Sequence, residues 1–185
     1  MEMISITISI VSLTVSVGTF WLTFLRRGQL AMTLPTIVFF GHDMVPKATP
    51  KIFLRTLLYS TAAQGQVVEG MYVQALRDGT VRTFNFWGYG ETEKLSPGSG
   101  LHVSRTGLAA NHHFVLSVHE DEYQFEAGEY MIVVYARIVG RRKPLKLSTI
   151  NIVLNPELAL ALRRHMGVLF EQNLDGRYEG HEHER

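Results

Sequence analysis

The sequence contains no cysteine, so neither a disulfide nor thiol chemistry can contribute within this chain. It also lacks a charge excess, with 18 Lys and Arg against 17 Asp and Glu. A nucleic-acid-binding domain normally carries a clear basic excess, so this balance argues against a nucleic-acid partner. The 185 residues are enough for one domain with its own hydrophobic core.

Charged residues are also missing from Met3 to Leu25, a run of 23 residues rich in Ile, Val, Leu and Phe. As a helix this run is about 35 Å long, and the hydrocarbon core of a bilayer is about 30 Å thick. Trp21, and then Arg26 and Arg27, are typical of a helix that leaves a bilayer. A cleaved signal peptide would need a basic start and a small-residue cleavage site. The sequence therefore predicts that residues 1–28 form a transmembrane anchor.

The two arginines also predict the orientation of this anchor. They lie C-terminal to the span, whereas the N-terminal flank carries only Glu2. The positive-inside rule then places the rest of the chain in the cytoplasm and the N-terminus outside. The expected location is a single-pass protein of the inner or plasma membrane.

Small hydroxyl residues repeat through the run at intervals of 4, 3, 4, 3 and 4, at Ser5, Ser9, Ser12, Ser16, Thr19 and Thr23. We call this set the hydroxyl seam. Heptad spacing places it on one helix face, where small residues let helices approach closely. The seam predicts a homo-oligomer or a partner in a membrane complex. Two alternatives stay open: the hydroxyls bond their own i−4 carbonyls, or they line a pore.

Residues 29–154 contain β-branched and aromatic runs separated by turn signals, a pattern typical of a β domain. Asp78-Gly79, between two extended runs, is a strong hairpin signal. Residues 90–100 are expected to form a mobile loop. The predicted strands and extended segments are 36–40, 51–61, 67–76, 81–89, 101–105, 111–118, 125–135 and 145–154.

One segment has a more specific pattern. Gly128 and Tyr130 stand at the start of an alternating strand, and Tyr130 is expected to bond a main-chain group upstream, near Asp121. This resembles the tyrosine corner of immunoglobulin-like β-sandwiches, without pointing to a specific family. The resemblance implies an all-β fold, an antiparallel sandwich of 7–8 strands joined to the N-terminal transmembrane helix and a C-terminal α-helix. Fold alone does not define function.

The C-terminal part is predicted to be helical. Asn155 suits an N-cap and Pro156 suits the first helical position. An amphipathic helix is expected over residues 155–174, with a disordered tail over residues 175–185. Its apolar stripe consists of Leu158, Leu162, Met166 and Leu169 or Phe170.

Catalytic and metal-binding patterns are absent from the sequence. His112 and His113 are neighbours on a predicted strand, so their side chains point to opposite faces. Residues 119–121 read as a polar turn, and the histidines of residues 181–183 lie in the tail. The glycines of residues 98–100 lack the Lys and helix of a phosphate-binding loop. We therefore expect no enzyme activity, catalytic residue, metal or cofactor.

The basic residues of the domain concentrate at the turn before its last strand, at Arg141, Arg142, Lys143 and Lys146. Such a cluster can contact anionic membrane lipid or another partner, since each cation near an anionic leaflet contributes about 1 kcal/mol. A solvated hairpin tip is the simpler alternative.

Together these features suggest a membrane-tethered, non-enzymatic binding and assembly module that presents a β-sandwich at the cytoplasmic face. Its exposed β surface and the Ser96–Gly100 loop would recognise a protein or small ligand. The alternative is an oligomerising membrane effector, in which the β domain senses a ligand. The helices with the hydroxyl seam would then form a pore or disrupt the bilayer.

Overall fold

A computed structural model describes residues 2–22, 28–43, 48–91, 94–98, 100–117 and 123–183. Within these ranges the chain forms two helices and twelve strands. They are α1 (Glu2–Phe20), β1 (Leu30–Met32), β2 (Ile37–Asp43), β3 (Thr49–Ser60), β4 (Gln66–Arg77), β5 (Thr80–Glu91), β6 (Lys94–Pro97), β7 (Leu101–Val103), β8 (Leu108–Leu116), β9 (Gly128–Ile138), β10 (Leu145–Leu154), α2 (Pro156–Arg163), β11 (Gly167–Gln172) and β12 (Tyr178–His183).

The strands form one antiparallel sheet in the order β10-β9-β4-β5-β8-β3-β2-β11-β12. Three short strands join at the sides, where β1 pairs with β3, β6 with β5 and β7 with β4. Strand β5 links the two halves, because it pairs first with β4 and then with β8. The sheet is nearly closed, and β10 approaches β12. The prediction that the domain is an antiparallel β structure is thus confirmed.

The core lies inside the curled sheet and is rich in aromatic side chains. In β3 every second side chain is buried, including Ile52 and Leu54. The Phe40 ring stacks on Phe125 at 4.8 Å and meets Phe170 edge-on at 5.2 Å between ring centroids. Burying one such side chain contributes about 1.5–3 kcal/mol, so this cluster ties β2 and β11 to the turn before β9.

The predicted transmembrane anchor, with its membrane location and orientation, is wrong. Helix α1 has 19 residues and is about 28 Å long, slightly short of a hydrocarbon core of about 30 Å. In the part of the chain that the structure describes, no helix has the length and apolar character needed to cross a membrane. Thr23, Arg26 and Arg27 lie outside the described residues.

The immunoglobulin-like sandwich of 7–8 strands is also wrong as a description of this fold. The described residues form twelve strands in a single nearly closed sheet. The strands that sequence reasoning did not predict are β1, β6, β11 and β12. The segment 90–100, expected as a mobile loop, contains β6, whose residues pair with Gly88–Glu91 of β5.

Helix α2 begins as predicted but ends at Arg163, well before residue 174. The Asn155 side chain accepts a hydrogen bond from the Leu158 N–H at 2.8 Å. At the other end the His165 N–H donates to the Leu162 carbonyl and the Met166 N–H to the Ala161 carbonyl. His165 takes a left-handed conformation, with φ of 61°. This closing pattern stops the helix, and the chain leaves it as β11.

The segment expected to be a disordered tail forms β12 over residues 178–183. Its residues are almost all exposed, so burial does not order it. Backbone pairing with β11 does so, and the Tyr178 hydroxyl donates to the Pro35 carbonyl at 2.6 Å. The apolar residues of β11 were predicted as a helical stripe, yet Val168 and Phe170 alternate inward as in a strand.

Candidate functional site

Helix α1 presents an uncovered apolar surface. Eleven large apolar side chains between Ile4 and Leu22 are 55% to 67% exposed, among them Trp21, expected at a membrane flank. No charged residue occurs from Met3 to Leu25. Contiguous apolar patches of this kind mark interaction surfaces in proteins. The helix is therefore the largest candidate contact surface among the described residues.

Four residues of the hydroxyl seam, Ser9, Ser12, Ser16 and Thr19, lie along this helix. Thr23 and the side chain of Ser5 are outside the described part of the chain. Ser16 donates to the Ser12 carbonyl and Thr19 to the Val15 carbonyl, each at 2.8 Å. These two hydroxyls are thus satisfied inside the helix, as one of the alternatives proposed. What the seam offers a neighbouring helix at these positions is small size rather than an unused donor.

The corner residues perform a structural task. Gly128 has φ of 147°, a conformation that favours glycine. The buried Tyr130 hydroxyl donates to the Glu126 carbonyl at 2.8 Å and accepts from the Glu126 N–H at 3.0 Å. Arg77 forms an ion pair with the Glu126 carboxylate. The upstream region near Asp121, where the tyrosine was expected to bond, lies outside the described residues.

An aromatic row crosses the outer face of the sheet. We define it as Phe39 on β2, Phe53 on β3 and His113 on β8, which lie directly opposite one another in the strand register. Phe39 and Phe53 stack at 4.7 Å between ring centroids, and Phe53 and His113 lie 5.1 Å apart. Beside the row Trp87 is 41% exposed, and the Lys51 ammonium lies 5.6 Å from the centre of its ring.

Two glycines make room for the row. A Cβ atom added at Gly41 or Gly167 would lie 2.5 Å from ring atoms of Phe39. This surface was not predicted, because it depends on the register of three strands that are distant in sequence. The only sign of this surface in the sequence was that apolar residues occur at both odd and even positions within residues 51–61.

The two neighbouring histidines lie on opposite faces of β8, and both are buried. His112 lies on the core side near Phe86, whereas His113 belongs to the aromatic row. None of their ring nitrogens has a hydrogen-bond partner among the described residues. Burial lowers the pKa of His112 to about 4. Burial, followed by the charge of Lys51, lowers the pKa of His113 to about 4.

Both imidazoles are therefore neutral at neutral pH. In the described residues no group of three or more His, Asp and Glu side chains could hold a metal ion. Residues 119–121 lie outside that part of the chain, and His181 and His183 are exposed on β12. The expected lack of catalysis and of a cofactor stays a prediction. The described geometry offers contact surfaces.

The predicted basic cluster lies where β9 turns into β10. Arg141, Arg142, Lys143 and Lys146 are all exposed. Val139, just before this turn, donates a backbone hydrogen bond to Val67 at the start of β4. The cluster therefore lies near the start of β4, where the Gln66 side chain donates to the Gly28 carbonyl.

No family model, curated protein or solved structure matches this chain. The immunoglobulin-like resemblance therefore has no support beyond the corner at Gly128 and Tyr130.

Proposed function

We propose that this chain is a non-enzymatic binding and assembly module. Helix α1 joins copies of the chain, and the β domain recognises a protein partner through its outer face. The observation that carries the proposal is the exposed apolar surface of α1 and the two residues after it, with eleven large side chains more than half exposed.

Hydrophobic burial supplies the driving force for this assembly. Each large aliphatic or aromatic side chain that moves from full exposure to full burial contributes about 1.5–3 kcal/mol. Stable protein interfaces bury about 800 Å² on each partner, and an apolar helix of 19 residues presents a surface of that order. Association of α1 with another surface therefore removes the largest exposed apolar area that the structure describes.

A second copy of the chain is the partner that fits α1 best. The run from Met3 to Leu25 carries no charge, so two copies meet without like-charge repulsion. The hydroxyl seam recurs with heptad spacing, which keeps the same face in contact along two helices. A symmetric pair uses the same patch on both subunits, and a continuous stripe of small residues supports this arrangement.

The outer face of the β domain supports the recognition part of the proposal. Aromatic residues dominate the energetics of protein interfaces, particularly where they form a packed centre with a polar rim. The aromatic row provides such a centre, and Trp87, Lys51 and Arg55 surround it.

The oligomeric state of the full chain in detergent-free buffer, measured by sedimentation, tests the assembly. We expect wild type to form a defined oligomer. The triple variant Ser9→Glu, Ser12→Glu and Ser16→Glu should yield monomers, because like charges of the two copies then meet across the hydroxyl seam. The matched control places three Glu on the opposite helix face, at Thr7, Val11 and Thr14, and should keep the wild-type state. Monomeric wild type, or equal behaviour of both variants, would contradict the proposal.

A further inference from the structure

Three turns meet at the end of the sheet where the N-terminal segment joins it. The Ser60 N–H donates to the Ser104 carbonyl, and the Val139 N–H donates to the Val67 carbonyl, each at 3.0 Å. The Gln66 side chain donates to the Gly28 carbonyl at 2.6 Å. Residues 61–65, 104–107 and 139–144 are thereby held around the start of β1.

This end of the sheet carries six cations on exposed side chains. We define the basic end as Arg105, Arg137, Arg141, Arg142, Lys143 and Lys146. The described acid beside them is Glu69, whose carboxylate lies 3.9 Å from Arg137, at the limit of an ion pair. The nearby β11–β12 hairpin adds the acids Glu171, Asp175 and Glu179 against the cation Arg177, so cations still exceed acids at this end.

The opposite end of the sheet carries charges of both signs. The described acids there are Asp43, Asp78, Glu126, Glu129 and Glu157, and the described cations are Lys51, Arg77, Arg82, Arg163 and Arg164. Cations therefore exceed acids at the basic end, a local excess that the formal net charge of +1 does not reveal.

Apolar side chains are exposed among the cations. Val67 is 45% exposed and Val139 is 56% exposed, and their backbones are hydrogen-bonded to each other. Phosphates of a nucleic acid would engage the arginines but leave these valines in water. A phospholipid surface offers both chemistries, since anionic headgroups border an apolar phase.

We propose that the basic end docks on an anionic phospholipid surface. The Arg and Lys side chains contact the lipid phosphates, and Val67 and Val139 lie at the boundary with the acyl chains. This contact uses residues of the β domain, so it stands independently of the assembly through α1.

Vesicle binding by the full chain tests this inference. The probes are vesicles of phosphatidylcholine alone and of phosphatidylcholine with phosphatidylserine, at low and high salt. The affinity for phosphatidylcholine vesicles measures the contribution of the apolar helix. The increase in affinity when phosphatidylserine is included measures the contribution of the basic end. We expect a clear gain that high salt removes, because exposed charges are screened. An equal affinity for both vesicles would overturn the proposal.

A pair of charge-reversal variants identifies the surface. Arg141→Glu with Arg142→Glu should reduce phosphatidylserine-dependent binding about 25-fold or more, since each cation contributes about fivefold. Arg163→Glu with Arg164→Glu makes the same change in net charge at the opposite end of the sheet and should keep the gain. Equal losses in both variants would indicate a net-charge effect and overturn the proposal. Both variants are also tested for binding to single-stranded RNA. If Arg141→Glu with Arg142→Glu lost RNA binding but kept lipid binding, the basic end would be a nucleic-acid surface and the proposal would be overturned. Thermal unfolding shows that each variant is folded.

Discussion

At the scale of single residues, His112 and His113 make stability depend on pH. Their pKa values of about 4 lie below the value of 6.5 for an unperturbed histidine, and burial is the main cause for both. Between these pH values the unfolded chain binds protons that the folded chain excludes. The free energy of unfolding therefore falls as the pH falls from 6.5 towards 4. Above pH 6.5 both histidines are neutral in the folded and the unfolded chain, and they no longer lower it.

Urea unfolding at about pH 7 and about pH 5 measures this effect, with up to about 2 kcal/mol lost for each histidine. His112→Leu should reduce the loss, because it removes one of the two groups and leaves no buried unsatisfied nitrogen at that position. His181→Leu, at an exposed position on β12, is the matched control and should leave the pH dependence unchanged. The same pH dependence in wild type and His112→Leu would contradict the assignment.

At the scale of elements, the corner before β9 fixes the path of the chain into the sheet. Tyr130→Phe removes a hydroxyl that serves both the N–H and the carbonyl of Glu126. Leaving part-buried backbone groups unpaired costs about 1–3 kcal/mol, so unfolding should occur at lower denaturant concentration with an unchanged slope. Tyr135→Phe is the control, because no hydrogen bond involves its hydroxyl in the described part of the chain. An unfolding free energy for Tyr130→Phe equal to wild type would show that the corner is not stabilised in this way.

Local signals predicted the elements that depend on local chemistry. Asp78-Gly79 predicted the β4–β5 hairpin, and both residues take the positive φ values that such a turn requires. Asn155 predicted the start of α2 for a similar reason, since the cap and the N–H it satisfies are three residues apart.

Elements that depend on distant partners were not predictable in this way. Strand β12 has almost no buried side chain, and β6 is ordered by pairing with β5. The apolar residues of β11 fit a helical stripe as well as a strand. The left-handed conformation of His165 ends the helix, and pairing with β2 stabilises the strand. The aromatic row depends on the same kind of long-range register, so sequence reasoning did not find it.

At the scale of the whole molecule, the hydrophobic core of the β domain does not include helix α1. The buried apolar core begins with Leu30 and ends with Phe170, so it takes no side chain from α1. Where the chain enters the sheet, the Gln29 N–H donates to the Thr61 hydroxyl at 2.7 Å, and the Thr61 N–H donates to the Gln29 carbonyl at 2.9 Å. These bonds fix the segment from Gly28 onward without the helix.

A chain that begins at Gly28 should therefore keep its fold and lose its assembly. We expect its melting temperature to stay within about 4 °C of the full chain, a change equivalent to less than about 1 kcal/mol. Thermal unfolding and sedimentation measure the two properties on one sample. A folded monomer would place the contact between copies on α1. A folded oligomer would instead move that contact to the β domain, where the aromatic row offers a packed apolar surface.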